Sequence, residues 1–384
     1  MTITFFGILC LILFALLFLI AMTLAFLTEG KRRVVLTAAL VLIDLTGLIL
    51  LLNGRRWHLD NLPWAGPALK AMSVLFMAQV FLVLLTALAV LVRAAYRKWT
   101  KPVPFSPARR RLLKGAALYP IAALAPAVYG EAVERNQTVV RAYDIPVRGL
   151  PASMEGLRLV QLSDVHLGYF YSLDRYRQLL EKSLALDPDF LMLTGDIYDD
   201  ERINDEAVSL TAAYADRVRH GLWFCLGNHE HHRNAGHILK KLADTKIHVL
   251  VNRAEEVPAF PGLWIAGSDY PMNPDKAIFE RDKAAYFTKT MEEVPDDAVT
   301  ILLAHHPEFI DNAAERHVAL TLTGHTHGSQ FGFLGMPIPV FKYTRGFVHI
   351  GDSYGYVHCG NGSWFPMRIG CPPEIAVFTL RRAE

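Results

Sequence analysis

The chain has 384 residues, 52% of them hydrophobic and 20% charged, at a mean hydropathy of +0.23; it is too apolar for a soluble enzyme throughout and too charged for an all-membrane protein. The formal net charge of +2 is near balance, so no nucleic acid partner is expected. Cys10, Cys225, Cys359 and Cys371 form no CxxC pair, which excludes a zinc ribbon and leaves Cys359 and Cys371 as either a bridge or two buried thiols.

The apolar excess lies at the N-terminus. Thr4 to Leu27, Val34 to Leu52 and Ala71 to Val92 are near or above the ~20 residues that cross a bilayer. They read as three transmembrane helices in a membrane region spanning 1–100. Lys31, Arg32 and Arg33 follow the first, and eight basic residues from Arg93 to Lys114 follow the third. The positive-inside rule makes both loops cytoplasmic and places the N-terminus outside. Asp44, midway along the second span, is expected to face other helices and to serve structure rather than an ion path.

Residues 101–135 form a basic segment with a possible fourth helix, Leu112 to Tyr129, about 18 residues long and containing Pro120 and Pro126. Arg109-Arg110-Arg111-Leu112-Leu113-Lys114 resembles a twin-arginine export signal. The plain alternative is a basic stop-transfer flank. If the fourth helix crosses, the domain over 136–384 lies outside the cytoplasm.

In that domain the same event recurs five times. Leu157 to Leu162 reads as a buried strand running into Asp164 and His166, and Phe190 to Leu193 runs into Gly195-Asp196. Leu222 to Leu226 leads to Gly227-Asn228-His229-Glu230, Ile301 to Ala304 to His305-His306, and Val318 to Leu322 to Gly324-His325-Thr326-His327. Helical spacing is expected over Leu173 to Leu184, with Ser172 as cap and Pro188 as stop, then over Asp205 to Arg219 and Gly236 to Asp244. Strands alternating with helices imply an α/β layered domain whose polar strand ends share one edge.

Carboxylate, imidazole and amide oxygen suit hard or borderline divalent cations, and no thiolate is among them. Gly195, Gly227 and Gly324 are expected where each strand turns sharply toward the metals. The order DxH, GD, GNH[DE], H, GHxH resembles the calcineurin-like metallophosphoesterase superfamily over about residues 155–380. That resemblance implies a layered β-sandwich flanked by helices and two divalent ions. It implies Asp164, His166, Asp196 and His327 for the first metal, and Asp196, Asn228, His305 and His325 for the second. Asp196 would bridge, and His229 would face the phosphate and protonate the leaving group.

Gln161-Leu-Ser-Asp-Val-His-Leu-Gly168, Gly324-His-Thr-His-Gly-Ser-Gln330 and Pro366-Met-Arg-Ile-Gly-Cys-Pro-Pro-Glu-Ile375 resemble the membrane-tethered bacterial branch of that superfamily. This branch implies a bacterial inner-membrane enzyme acting on a phosphodiester or pyrophosphate, with manganese as the metal and iron, zinc or magnesium as alternatives. Its substrates include UDP-2,3-diacylglucosamine of lipid A synthesis. The lipid bilayer and a phosphorylated, lipid-linked small molecule are then the expected partners. A phosphomonoesterase on a soluble substrate and a non-catalytic membrane sensor are the alternatives. Tyr169, Phe170, Tyr171, Phe331, Phe333, Trp364 and Phe365 either line an acyl groove or belong to the core. His220, His231, His232, His237, His248, His317, His349 and His358 are read as ordinary histidines.

Overall fold

The structure, a computed structural model of the full chain, describes residues 18–22, 30–53, 62, 64–99, 118–333 and 335–383. Two units divide it: Met1–Val133 with Phe365–Met367, and Glu134–Trp364 with Arg368–Glu384.

The first unit contains helices Gly30–Asn53, Ala65–Trp99 and Leu118–Ala132. Among the described residues, Ala65–Val92 is long and apolar enough to cross a membrane, and Thr37–Leu50 is a shorter apolar helix. Asp44 is buried and accepts a hydrogen bond of 2.9 Å from Gln79 Nε2. That bond joins the second and third expected spans and partners one of the two carboxylate oxygens. Most of the expected span Thr4 to Leu27 and all of Arg109 to Lys114 fall outside the described residues.

The second unit is built on strands β1 Val139–Val147, β2 Arg158–Leu162, β3 Phe190–Thr194, β4 Leu222–Cys225, β5 His248–Leu250, β6 Arg253–Glu256 and β7 Leu263–Ser268. It continues with β8 Val299–Ala304, β9 Leu320–Thr323, β10 Gly332–Phe333, β11 Met336–Pro337, β12 Gly346–Ile350, β13 Ser353–Val357 and β14 Glu374–Arg382. One sheet has the order β1-β14-β2-β3-β4-β5, and the other β12-β13-β9-β8-β7-β6. β2 through β5 pair in parallel, as do β7, β8, β9 and β13. β3 and β8 are buried along their whole length, which explains their unbroken apolar sequences.

Side chains from both sheets, including Leu159, Phe190, Trp223, Ile265, Ile301, Leu320, Tyr356 and Phe378, form the core between them. Helices Leu173–Leu184, Asn204–Ala215 and Ala235–Ala243 cover the outer face of the first sheet, and Lys276–Thr290 and Phe309–Glu315 that of the second. This is the helix-flanked sandwich expected from the motif order. At the ligand-bearing end Gln161 Nε2, on β2, donates to the Thr323 carbonyl of β9 at 3.0 Å and joins the sheets.

Ser172 caps its helix by accepting from the Arg175 amide. The helix expected to reach Arg219 stops at Ala215. Short three-residue turns then carry the chain to Gly221, whose φ of +92° admits no easy substitute before β4.

Candidate metal centre

Three of the five motifs leave their strands through a strained turn. Asp164, His166, Asp196, His325 and His327 all have positive φ, between 49° and 70°. Non-glycine residues adopt that region seldom and at a cost. Five of the seven expected ligands share it, so the surrounding packing fixes their direction. Of the three glycines expected to turn the chain, Gly195 does so, with φ +81°. Gly227 (φ −108°) and Gly324 do not need glycine for conformation. They need it for space, because a Cβ on Gly227 would overlap the Asp196 carboxylate and one on Gly324 would overlap Ser163 and Asp164.

The structure brings all seven residues together in two groups of donor atoms. In the first, His166 Nε2 lies 2.9 Å from His327 Nε2, and His327 Nε2 lies 3.4 Å from Asp164 Oδ1. In the second, His305 Nε2 lies 3.1 Å from Asp196 Oδ2, and His325 Nδ1 lies 2.9 Å from Asn228 Oδ1. Asp196 Oδ2 is also 3.6 Å from His166 Nε2, so this one oxygen borders both groups.

The tautomers test whether cations fit. His305 Nδ1 lies 2.7 Å from the Thr194 carbonyl, which can only accept, so that nitrogen carries the proton. The buried Nε2 then lies 3.1 Å from the Asp196 carboxylate, where a proton or a cation must sit between them. His166 Nδ1 likewise faces Asp199 Oδ2 at 3.1 Å, leaving its Nε2 bare toward His327. At 2.9 Å a proton joins His166 Nε2 to His327 Nε2, and a cation held by both rings would take its place. An imidazole fixed by a donor bond on its other nitrogen is the arrangement metal-binding histidines use.

The local charge has the same sign preference. Asp164, Asp196 and Asp199 are all nearly inaccessible to solvent. Burial alone would lower the pKa of His305, but Asp196 and Asp164 beside it outweigh this and raise it to about 10. His229, where burial is again outweighed by Asp196 and Asp199, is raised to about 9. A field that draws protons so strongly draws dications, which would displace those protons.

Asp199, which sequence reasoning passed over, and Glu230, which it placed in the GNH[DE] motif without a role, organise the site. Asp199, three positions after Asp196, contacts His166 and Arg233 and lies 2.8 Å from His229 Nδ1. It orients both imidazoles, leaving His229 Nε2 as the atom that faces the centre, 4.0 Å from Asp196 Oδ2. Glu230 is fully buried, and its carboxylate accepts from four backbone amides: Asp196 and Gly227 on Oε2, Ile197 and Tyr198 on Oε1. It fastens the turn carrying Asp196 to the turn carrying Asn228. An extra carboxylate at each of these spacings was visible in the sequence, but its direction was not.

Arg368 is a third buried anchor, donating to the carbonyls of Cys359, Gly362 and Cys371. Cys359 and Cys371 are buried free thiols. Tyr171 is core, whereas Phe333 and Trp364 are exposed. His306 is buried beside His325 and lowered to about 3, by burial and by the charge on His305. His231, His237 and His248 pair with Asp269, Asp205 and Glu255 away from the donor groups.

Residues 157–329 match the family described as calcineurin-like phosphoesterase. The uncharacterized metallophosphoesterase YkuE of Bacillus subtilis is 30% identical over 71% of this chain and 97% of its own length. The chain belongs to the calcineurin-like phosphoesterase family. An uncharacterized metallophosphoesterase of Aquifex aeolicus is 31% identical over 63% of this chain and 91% of its own. The transmembrane protein with metallophosphoesterase domain of Danio rerio is 27% identical over 67% of this chain, which spans only 60% of that relative. The protein is therefore a metallophosphoesterase that depends on divalent metal ions, and its apolar helix and transmembrane relatives point to membrane association.

Proposed function

We propose that the chain hydrolyses a phosphodiester or pyrophosphate bond in a lipid-linked substrate, using two cations held by the seven residues. Asp164, His166, Asp196 and His327 would hold the first cation, and Asp196, Asn228, His305 and His325 the second. Bound cations of this kind clamp a phosphoryl group and make water nucleophilic at neutral pH. The observation that carries the reading is the convergence of buried carboxylates and imidazoles into two donor groups bordered by the same Asp196 oxygen.

The chain itself supplies the rest. Glu230 fixes the separation of the Asp196 and Asn228 turns. Asp199 pairs with the Nδ1 side of the His229 imidazolium at 2.8 Å, so the Nε2 proton is the one available to a departing oxygen. Tyr270, whose hydroxyl is 3.3 Å from His325 Nε2, steadies that ring.

The lipid-linked substrate rests on tethering, which raises the local concentration of a bilayer-borne molecule. UDP-2,3-diacylglucosamine is a candidate of that class, and manganese is the first metal to test. The basic residues from Arg93 to Lys114 support an inner-membrane, multi-pass arrangement with the enzyme domain extracytoplasmic. The deciding experiment compares this nucleotide-linked lipid, a chromogenic diester and a chromogenic monoester with manganese and full-length protein. Turnover of the first two above the monoester is expected; preference for the monoester, or no turnover, overturns the reading.

A further inference from the structure

The chain from 317 to 341 contains no Asp, Glu, Lys or Arg, and it leaves the metal centre at His327 to form the β10–β11 hairpin. Phe333 pairs with Met336 across the tip. The core does not receive these side chains: Phe333 is 74% exposed, Met336 64%, Ile338 55% and Val340 53%. Contiguous apolar exposure of this kind marks a surface with a partner. The hairpin is tied to the site at both ends. Ser329 Oγ accepts from the Ile338 amide, while Phe341 packs on His306 and His325 at ring distances of 5.7 Å and 5.2 Å.

We infer that the Gly332–Val340 hairpin enters the interfacial layer of the bilayer and presents lipid-borne phosphoesters to the metal centre. Three observations select the bilayer over a second copy. The chain carries its own apolar helix of spanning length, so the domain works near a membrane. The exposed side chains are aromatic and aliphatic, with no charge among them, and the cations next along the chain are engaged within the domain, Lys342 with Asp311 at 2.8 Å and Arg345 with the Gly370 carbonyl. An uncharged apolar tip suits the boundary between acyl chains and headgroups. A phosphoester cleaved beside Phe341 also lies within one hairpin of the exposed tip. The membrane contact stands on the first two observations alone, and the role in substrate delivery rests on the hydrolase reading.

The test uses full-length protein in proteoliposomes, with Cys10→Ser to remove the one cysteine outside the described residues. An environment-sensitive fluorophore is placed at Met336→Cys or, as control, at the exposed Lys246→Cys. Spin-labelled phosphatidylcholine should quench the Met336 probe about twofold or more, as penetration by several ångströms requires, and leave the Lys246 probe bright. Equal brightness of the two probes, or quenching that appears only at high protein density and therefore reports contact between copies, overturns the membrane contact. In parallel, Phe333→Ser/Met336→Ser should keep turnover of a water-soluble chromogenic diester while losing about tenfold on a phosphodiester carried by a diacyl lipid in vesicles. Equal losses on both substrates would make the hairpin a structural part of the site and overturn its delivery role. If the Met336 probe is quenched but no phosphoester is turned over, the membrane contact holds and the hydrolase reading fails.

Discussion

Glu230→Gln isolates the buried carboxylate that joins two ligand-bearing turns. The glutamate accepts two amides on each oxygen, with N···O distances of 2.7–3.0 Å. A glutamine of the same shape can serve one pair, but its NH₂ then faces the other pair donor to donor. Leaving two buried N–H groups unsatisfied costs roughly 2–6 kcal/mol at about 1–3 each. Against a total stability of about 5–15 kcal/mol, that is a large share. The midpoint of thermal unfolding should drop by roughly 5–20 °C for a domain of this size. The loss should be local as well as global: the turns of Asp196 and Asn228 separate, so metal affinity falls at neutral pH even well below the melting temperature. Differential scanning calorimetry with metal analysis on full-length protein in detergent measures both effects. A variant with an unchanged midpoint and full metal content would refute the clamp.

Asp196→Asn should abolish stable binding of both cations, because one oxygen borders both donor groups; two metals retained per chain by elemental analysis would contradict this. His229→Ala should keep the metals and lose about 10²- to 10⁴-fold in rate with poor leaving groups, but much less with nitrophenolate. Metal loss, or equal losses for good and poor leaving groups, would make His229 a ligand or structural residue. In chelator-treated protein, His305 and His229, raised to about 10 and 9, should stabilise the fold fully below about pH 6.5 and lose that contribution as pH rises through those values. Melting temperature should fall across that window, manganese should flatten the dependence, and a flat curve in chelator would argue against the carboxylate field. A phosphatase reporter fused after Glu384 should be active outside the cytoplasm, whereas a silent one beside a glowing cytoplasmic fluorescent fusion would reverse the topology.

Local patterns carried much of the fold. Strands such as Phe190–Thr194 and Val299–Ala304 are buried on both faces, so composition alone marks them, and the helix Leu173–Leu184 follows its periodicity and cap. β1 and β14 were not legible. They pair with each other across more than two hundred residues, Val139 with Glu374, and no local pattern encodes such a partner. The edge strand β12 exposes Phe347 and Ile350, so it lacks the inward alternation that identifies a strand. The residues that converge in the two donor groups were legible because their types suit divalent cations and their order resembles that of the family. The roles of Asp199 and Glu230 were not, because they depend on backbone turns at positive φ that decide where a carboxylate points.

The most direct measurement is a manganese titration of metal-stripped full-length protein, following bound metal per chain and hydrolysis of a chromogenic phosphodiester in the same samples. Two cations at the donor groups of Asp164 and Asp196 predict that activity reaches its plateau as occupancy reaches about two per chain. Saturation of activity at one bound ion, or full double occupancy without turnover, would contradict it.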